Sequence, residues 1–205
     1  MAFEHPPSEL PPPLQLMDMV STFMVTRALS LAAELGVFDL VADGPRPVDG
    51  SFLTAVLQAN PAMTGVVFDQ PHVVEGARAT LHEAGLADRA EVIGGDFFEA
   101  VPAGADAYSF KWIIHDWRDD QALQILRITH SAIAPEGSLL LHEFVLPEGD
   151  EPHFGKVIDL IIIALGGVER TEAEYADLLD RAGFRLTRVV PTPSPMSVVE
   201  AVPVS

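Results

Sequence analysis

Between Gly65 and Ala182 the chain alternates short apolar runs with stretches of helical periodicity. This alternation restricts the fold more than any other feature. The runs GVVFD (65–69), AEVI (90–93), AYSFKWII (107–114) and SLLLHEF (138–144) carry few interruptions. Such runs read as strands buried on both faces, hence a parallel sheet covered by helices on each side. The segments between and after them predict helices over 71–84, 117–133, 154–165 and 172–182, with Gly85 stopping the first. An earlier helix over 51–59 ends at Asn60-Pro61, because a residue before proline avoids the helical region. The closing runs FRLTRVV and SVVEAVP, separated by PTPSP, predict an antiparallel pair at the sheet edge. The fold class is therefore α/β, a Rossmann-like sheet with a C-terminal antiparallel strand.

The first 49 residues differ in kind. Residues 1–13 are proline-rich, and Leu14 to Leu35 predict a helix with Leu16, Val20, Phe23, Met24, Leu31 and Leu35 on one broad face. That face suits a core helix or a subunit contact equally. VADGPRPVDG (41–50) is a turn-rich linker. The expected division is a tail with this helix over 1–49 and a sheet domain over 50–205. A formal net charge of -18 repels phosphate backbones and anionic membrane surfaces. The absence of cysteine excludes disulfides, zinc-thiolate sites, iron-sulfur clusters and a cysteine nucleophile. No secretory leader pattern opens the chain, and the apolar run 158–165 is interrupted at Asp159 and stops at Gly166-Gly167. A cytoplasmic location is the expectation.

In an open α/β sheet, ligands gather beyond the carboxyl ends of the strands. Three such ends carry polar groups here: Asp69, Asp96 after Gly94-Gly95, and the segment Lys111 to Asp116. A carboxylate after the second strand of a nucleotide unit accepts both ribose hydroxyls. Each acid alone is better read as a helix cap or loop acid; the series of them points to a nucleoside-type cofactor. Capping of a helix starting at Trp117 accounts for Asp116, Asp119 and Asp120. It does not account for His115, whose imidazole beside a carboxylate makes a general base for a hydroxyl.

Several strings together carry a family resemblance. KWIIHDW followed by DDQALQIL, PAMTGVVFDQPHVV, GLADRAEVIGGDFFEAVPAGADAY, LLLHEFVLPEG, GGVERTEAEYADLLDRAGF and PSPMSVVEAVP closely resemble the S-adenosylmethionine-dependent O-methyltransferases of the plant caffeate and bacterial polyketide type. The likeness covers essentially everything from Gly50 onward, and 14–49 resemble the start of that family's dimerisation region. The resemblance implies that Asp69 binds the cofactor ribose, that Asp96 and Phe97 contact the adenine, and that Gly50, Gly95, Lys111 and Trp112 complete the cofactor site. It implies His115 as the general base, with Glu143 and Glu169 orienting it and Asp116 assisting. It further implies an aromatic phenolic or polyketide substrate, a homodimer, and no metal. His142 and Glu143 are neighbours on a strand and point to opposite faces, which argues against a ligand pair.

One departure is large. Family members open the cofactor domain with a strand and a glycine-rich loop, D-x-G-G-G-x-G; here only Gly50 precedes the matching helix SFLTAVLQANP. The chain passes from Asp49 to Gly50 across the family's winged-helix region, its pocket-forming helices and its first strand. That strand belongs between the strands at Val66 and Ala107. Val37 to Val41 could replace it, two chains could exchange elements, or the flanking strands could close up. A shortened relative could also serve as a partner subunit or binding protein, or use the histidine for cyclisation or elimination. Intact catalytic positions favour methyl transfer.

Overall fold

A computed structural model describes residues 50–204. The helix expected over Leu14–Leu35 and the candidate replacement strand Val37–Val41 lie outside the described residues. Within them, helix α1 (Ser51–Ala59) leads into strand β1 (Gly65–Asp69), helix α2 (Glu75–Glu83) and strand β2 (Ala90–Gly94). β1 and β2 pair in parallel, from Gly65 opposite Ala90 to Asp69 opposite Gly94. Leu57 of α1 and Ala77 and Leu81 of α2 bury themselves with Val67 and Val92 of the two strands. Gly50, at φ 71°, starts α1 in a left-handed conformation, and a Cβ there would stand 3.2 Å from the Ala77 Cβ. Glycine meets both demands at once.

The second sheet follows the order β3–β4–β8–β7, with β3 (Ala107–Lys111), β4 (Ser138–Glu143), β7 (Phe184–Pro191) and β8 (Ser197–Pro203). β3 and β4 are parallel. β8 runs antiparallel between β4 and β7, the pair expected from the last two apolar runs. Helices α3 (Asp119–Ala132) and α5 (Glu172–Arg181) pack on this sheet through Leu126, Leu178 and Leu179 against Leu139, Phe184 and Val199. All six are essentially inaccessible to solvent, each contributing about 1.5–3 kcal/mol by burial. Two short strands, β5 (Val145–Leu146) and β6 (Arg170–Thr171), pair in parallel beyond the end of β4; helix α4 (Phe154–Leu165) connects them. That pairing draws Glu169 back to Glu143.

Among the described residues the sheet is in two pieces. β1 pairs only with β2, and β3 pairs only with β4. The flanking strands therefore do not close the gap between Val66 and Ala107. α1 spans it, with Leu53 against Gly65 in β1 and Phe52 edge-on to His142 of β4 at 5.1 Å.

Three boundaries differ from the sequence reading by more than one residue. β3 stops at Lys111, three residues early, because Trp112 takes φ 56° and leaves the strand. α3 begins at Asp119 rather than Trp117, and its N-cap is Arg118 with no side-chain cap bond. Asp116 consequently does not cap the helix, whereas Asp119 and Asp120 do sit in its first turn. α2 starts at Glu75, after turn residues 71–74.

Candidate active site

The site grows from the way β3 ends. After Lys111 the backbone turns left-handed at Trp112 and then forms a single 3-10 turn over Ile114–Asp116. A positive φ on a bulky residue is rare and costs on the order of 1–2 kcal/mol, so neighbours must hold it. Trp112 N–H donates to the His142 carbonyl at 3.2 Å. Glu143 Oε1 accepts from Ile114 N–H at 2.9 Å and Ile113 N–H at 3.3 Å. The Trp112 ring lies nearly parallel to those of His115 and Phe144, with centroids 6.3 Å and 6.2 Å away, and the Lys111 ammonium sits over it at 4.7 Å.

This turn drives His115 inward, leaving it 6% exposed. Its Nδ1 lies 2.7 Å from Glu169 Oε1 and 3.9 Å from Glu143 Oε2. Its Nε2 lies 3.4 Å from Asp116 Oδ1. Nδ1–H donating to Glu169 fixes the tautomer, so the neutral ring presents Nε2 as its basic nitrogen. Burial alone would lower the imidazole pKa. The Glu169 hydrogen bond, together with the negative charge that Glu143, Glu169 and Asp116 contribute when ionised, outweighs it and raises the imidazole above its ordinary value. Glu143 is fully buried, and burial pushes its carboxyl up to about 7, with the Glu169 charge adding to the rise and His115 and the two N–H donors opposing it. The four residues assigned to catalysis thus meet around one imidazole. His142, next along β4, faces the other way, toward Ser109 Oγ at 3.0 Å. His115, Glu143 and Glu169 each offer one ligand-type atom within 4.8 Å of the others. Glu169 engages the Nδ1 on that side, and two backbone donors occupy Glu143 Oε1.

The second group lies at the ends of β1 and β2. Gly95 N–H donates to the Asp69 carbonyl at 2.9 Å, bringing the two strand ends together. A Cβ on Gly95 would overlap the Phe68 ring. Asp69 Oδ1 accepts from Gln70 N–H and Asp96 Oδ1 from Phe98 N–H; no further hydrogen bond from a described residue reaches either carboxylate. Among the described residues each leaves one carboxylate oxygen unengaged, which fits the hydroxyl and amino groups of a nucleoside. Phe97 is half-buried, edge-on to Trp117 at 6.2 Å. Gly50 is buried against α2.

Two further residues hold the turn, and the sequence reading did not single them out. Arg170, 2% exposed, donates to the carbonyls of Ile114 and Trp117 and pairs with Asp119 at 2.9 Å. At Gly167 a Cβ would collide with the His115 carbonyl, to which Val168 N–H donates at 2.7 Å. The available signal was their place in GGVER, beside Glu169.

A two-part parallel and antiparallel sheet with acids at its strand ends and a carboxylate-held histidine defines an α/β nucleoside-cofactor fold. The chain belongs to the O-methyltransferase domain family, whose match runs over residues 13–185. It is 47% identical over 156 residues to a phenazine O-methyltransferase of Lysobacter antibioticus, covering 76% of this chain and 46% of that protein. The crystal structure of LaPhzM superposes with a TM-score of 0.72 at 40% identity, over 89% of this chain and 57% of that one. That of NcsB1, an O-methyltransferase from neocarzinostatin biosynthesis in complex with S-adenosylmethionine and 2-hydroxy-5-methyl naphthoic acid, gives 0.69 at 33% identity, over 76% and 46%. The chain spans about half the length of the curated relatives it matches. Among the described residues no helix is long and apolar enough to cross a membrane.

Proposed function

We propose that this chain binds S-adenosylmethionine and transfers its methyl group to a hydroxyl of a planar aromatic small molecule, with His115 as the base. The observation that carries the reading is the 2.7 Å bond from His115 Nδ1 to the buried Glu169, which leaves Nε2 to take the hydroxyl proton. Asp69 would hold the ribose and Asp96 the adenine edge, each through its remaining oxygen. The bound cofactor supplies an electrophilic methyl on a sulfonium, so the protein's part is alignment and proton removal. Nε2 receives the proton as the oxygen gains the methyl. Glu169 stabilises the imidazolium that results, and Trp112 offers a flat apolar surface beside it. An aromatic acceptor agrees with the phenazine and naphthoic acid named for the relatives.

The family resemblance also supports a homodimer. On α4, Leu160, Ile163 and Leu165 are 53%, 48% and 78% exposed, an apolar face of the kind a second subunit covers. Light scattering at micromolar concentration should give twice the chain mass; a monomer throughout would contradict this.

The activity is tested by incubating the chain with S-adenosylmethionine and a panel of phenolic and hydroxyphenazine acceptors, with product detected by mass spectrometry. His115→Ala should lower any turnover by about 10²–10⁴-fold. A variant as active as the parent would remove His115 from the chemistry.

A further inference from the structure

Glu143 and Glu169 are not equivalent, although both face the same imidazole. Glu169 Oε1 receives Nδ1–H at 2.7 Å. Glu143 touches the ring only at 3.9 Å, and its Oε1 is spent on the N–H groups of Ile113 and Ile114. Those two amides follow directly on Trp112, the described non-glycine residue with positive φ. Oε2 of Glu143 and Oε2 of Glu169 are both buried and lack a hydrogen-bond partner. Two ionised carboxylates with bare oxygens, both buried side by side, repel each other, and each forfeits hydration. Carboxylate oxygens of the two residues come within 4.8 Å. One proton on the pair removes the like-charge repulsion and one of the two ionic desolvation costs. The other groups that act on this pair are His115 and the buried Tyr175 hydroxyl, which itself lies beside Arg170.

We infer that the two acids hold the base by different means: Glu169 as the anion on the imidazole, Glu143 as a neutral strut that carries a proton on Oε2 and receives the turn's amides on Oε1. Glu143 is then a positioning residue. What the turn requires of it is an acceptor oxygen, not a charge. Burial, which raises the Glu143 carboxyl to about 7, acts in the same direction. The assignment rests on the reading of His115 as the base, but its test needs no turnover.

The experiment has two arms on the full chain. Infrared spectra of the wild type at pH 6 in deuterated buffer should contain the C=O stretch of a protonated carboxyl, absent from Glu143→Gln. Titration of the His115 ring nitrogens by NMR should place the imidazole pKa in Glu143→Gln within about half a unit of wild type, while Glu169→Gln lowers it by about one unit or more. Amide exchange should leave Ile114 protected in Glu143→Gln, since the amide oxygen still accepts. A wild type without the protonated-carboxyl band would overturn the proposal. So would a Glu143→Gln chain whose His115 pKa falls as far as in Glu169→Gln. If Glu169→Gln does not fold, the wild-type band alone decides. Failure to methylate any acceptor would bear on the proposed activity and leave these readouts unchanged.

Discussion

Glu143 should make the folded chain lose stability as pH rises toward neutrality, the reverse of the usual carboxylate. Its folded pKa of about 7 lies above the ordinary 4.5. The native state therefore holds a proton that the unfolded chain releases. The stabilisation is complete below pH 4.5 and is lost as pH climbs through the folded value. At roughly 1.36 kcal/mol per pH unit, the whole interval corresponds to about 3 kcal/mol. Between about pH 5 and 8 the change is about 2.5 kcal/mol. His115, also raised, contributes in the same sense, so the comparison is made against Glu143→Gln, which retains the histidine and Glu169. Urea unfolding followed by circular dichroism at both pH values gives the two slopes. The wild-type midpoint should fall by about 1–2 M urea more than that of the variant. Curves that run parallel, whatever their offset, would show that Glu143 ionises at an ordinary pH in the folded chain.

Two other perturbations address the turn from its other side. Gly167→Ala forces a Cβ onto the His115 carbonyl, and should cost about 2–3 kcal/mol in thermal unfolding while lowering His115-dependent turnover; an unchanged midpoint would mean the loop gives way freely. Arg170→Leu strips donors from the Ile114 and Trp117 carbonyls and leaves Asp119 with Arg181 alone. The buried carbonyls left without that donor should cost about 1–3 kcal/mol, and an unchanged unfolding midpoint would contradict its role.

The strands and their acids were legible because apolar runs bounded by Gly, Pro and Asp leave few alternatives. β4 shows this well: alternate residues Leu139, Leu141 and Glu143 are buried, so period-2 reading alone sends Glu143 inward and His142 out. The end of β3 was not legible. AYSFKWII is broken only by Ser109 and Lys111, and nothing in side-chain polarity reports that Trp112 turns left-handed. The gathering of Glu169 with His115, 54 residues apart, depends on the β5–β6 pairing of two short strands that leave almost no pattern. It came from the family resemblance, as did the gap between β1 and β3. Arg170 and Gly167 were missed because their work is on backbone carbonyls, which a sequence does not display.

The proposed function requires Asp69 and Asp96 to form a working nucleoside site although the sheet of the described residues is divided beside them. Calorimetric titration of the purified chain with S-adenosylmethionine and S-adenosylhomocysteine, with Asp69→Ala as control, tests it most directly. Micromolar binding that the control abolishes is the predicted result. No heat of binding from a chain shown by circular dichroism to be folded would contradict the account.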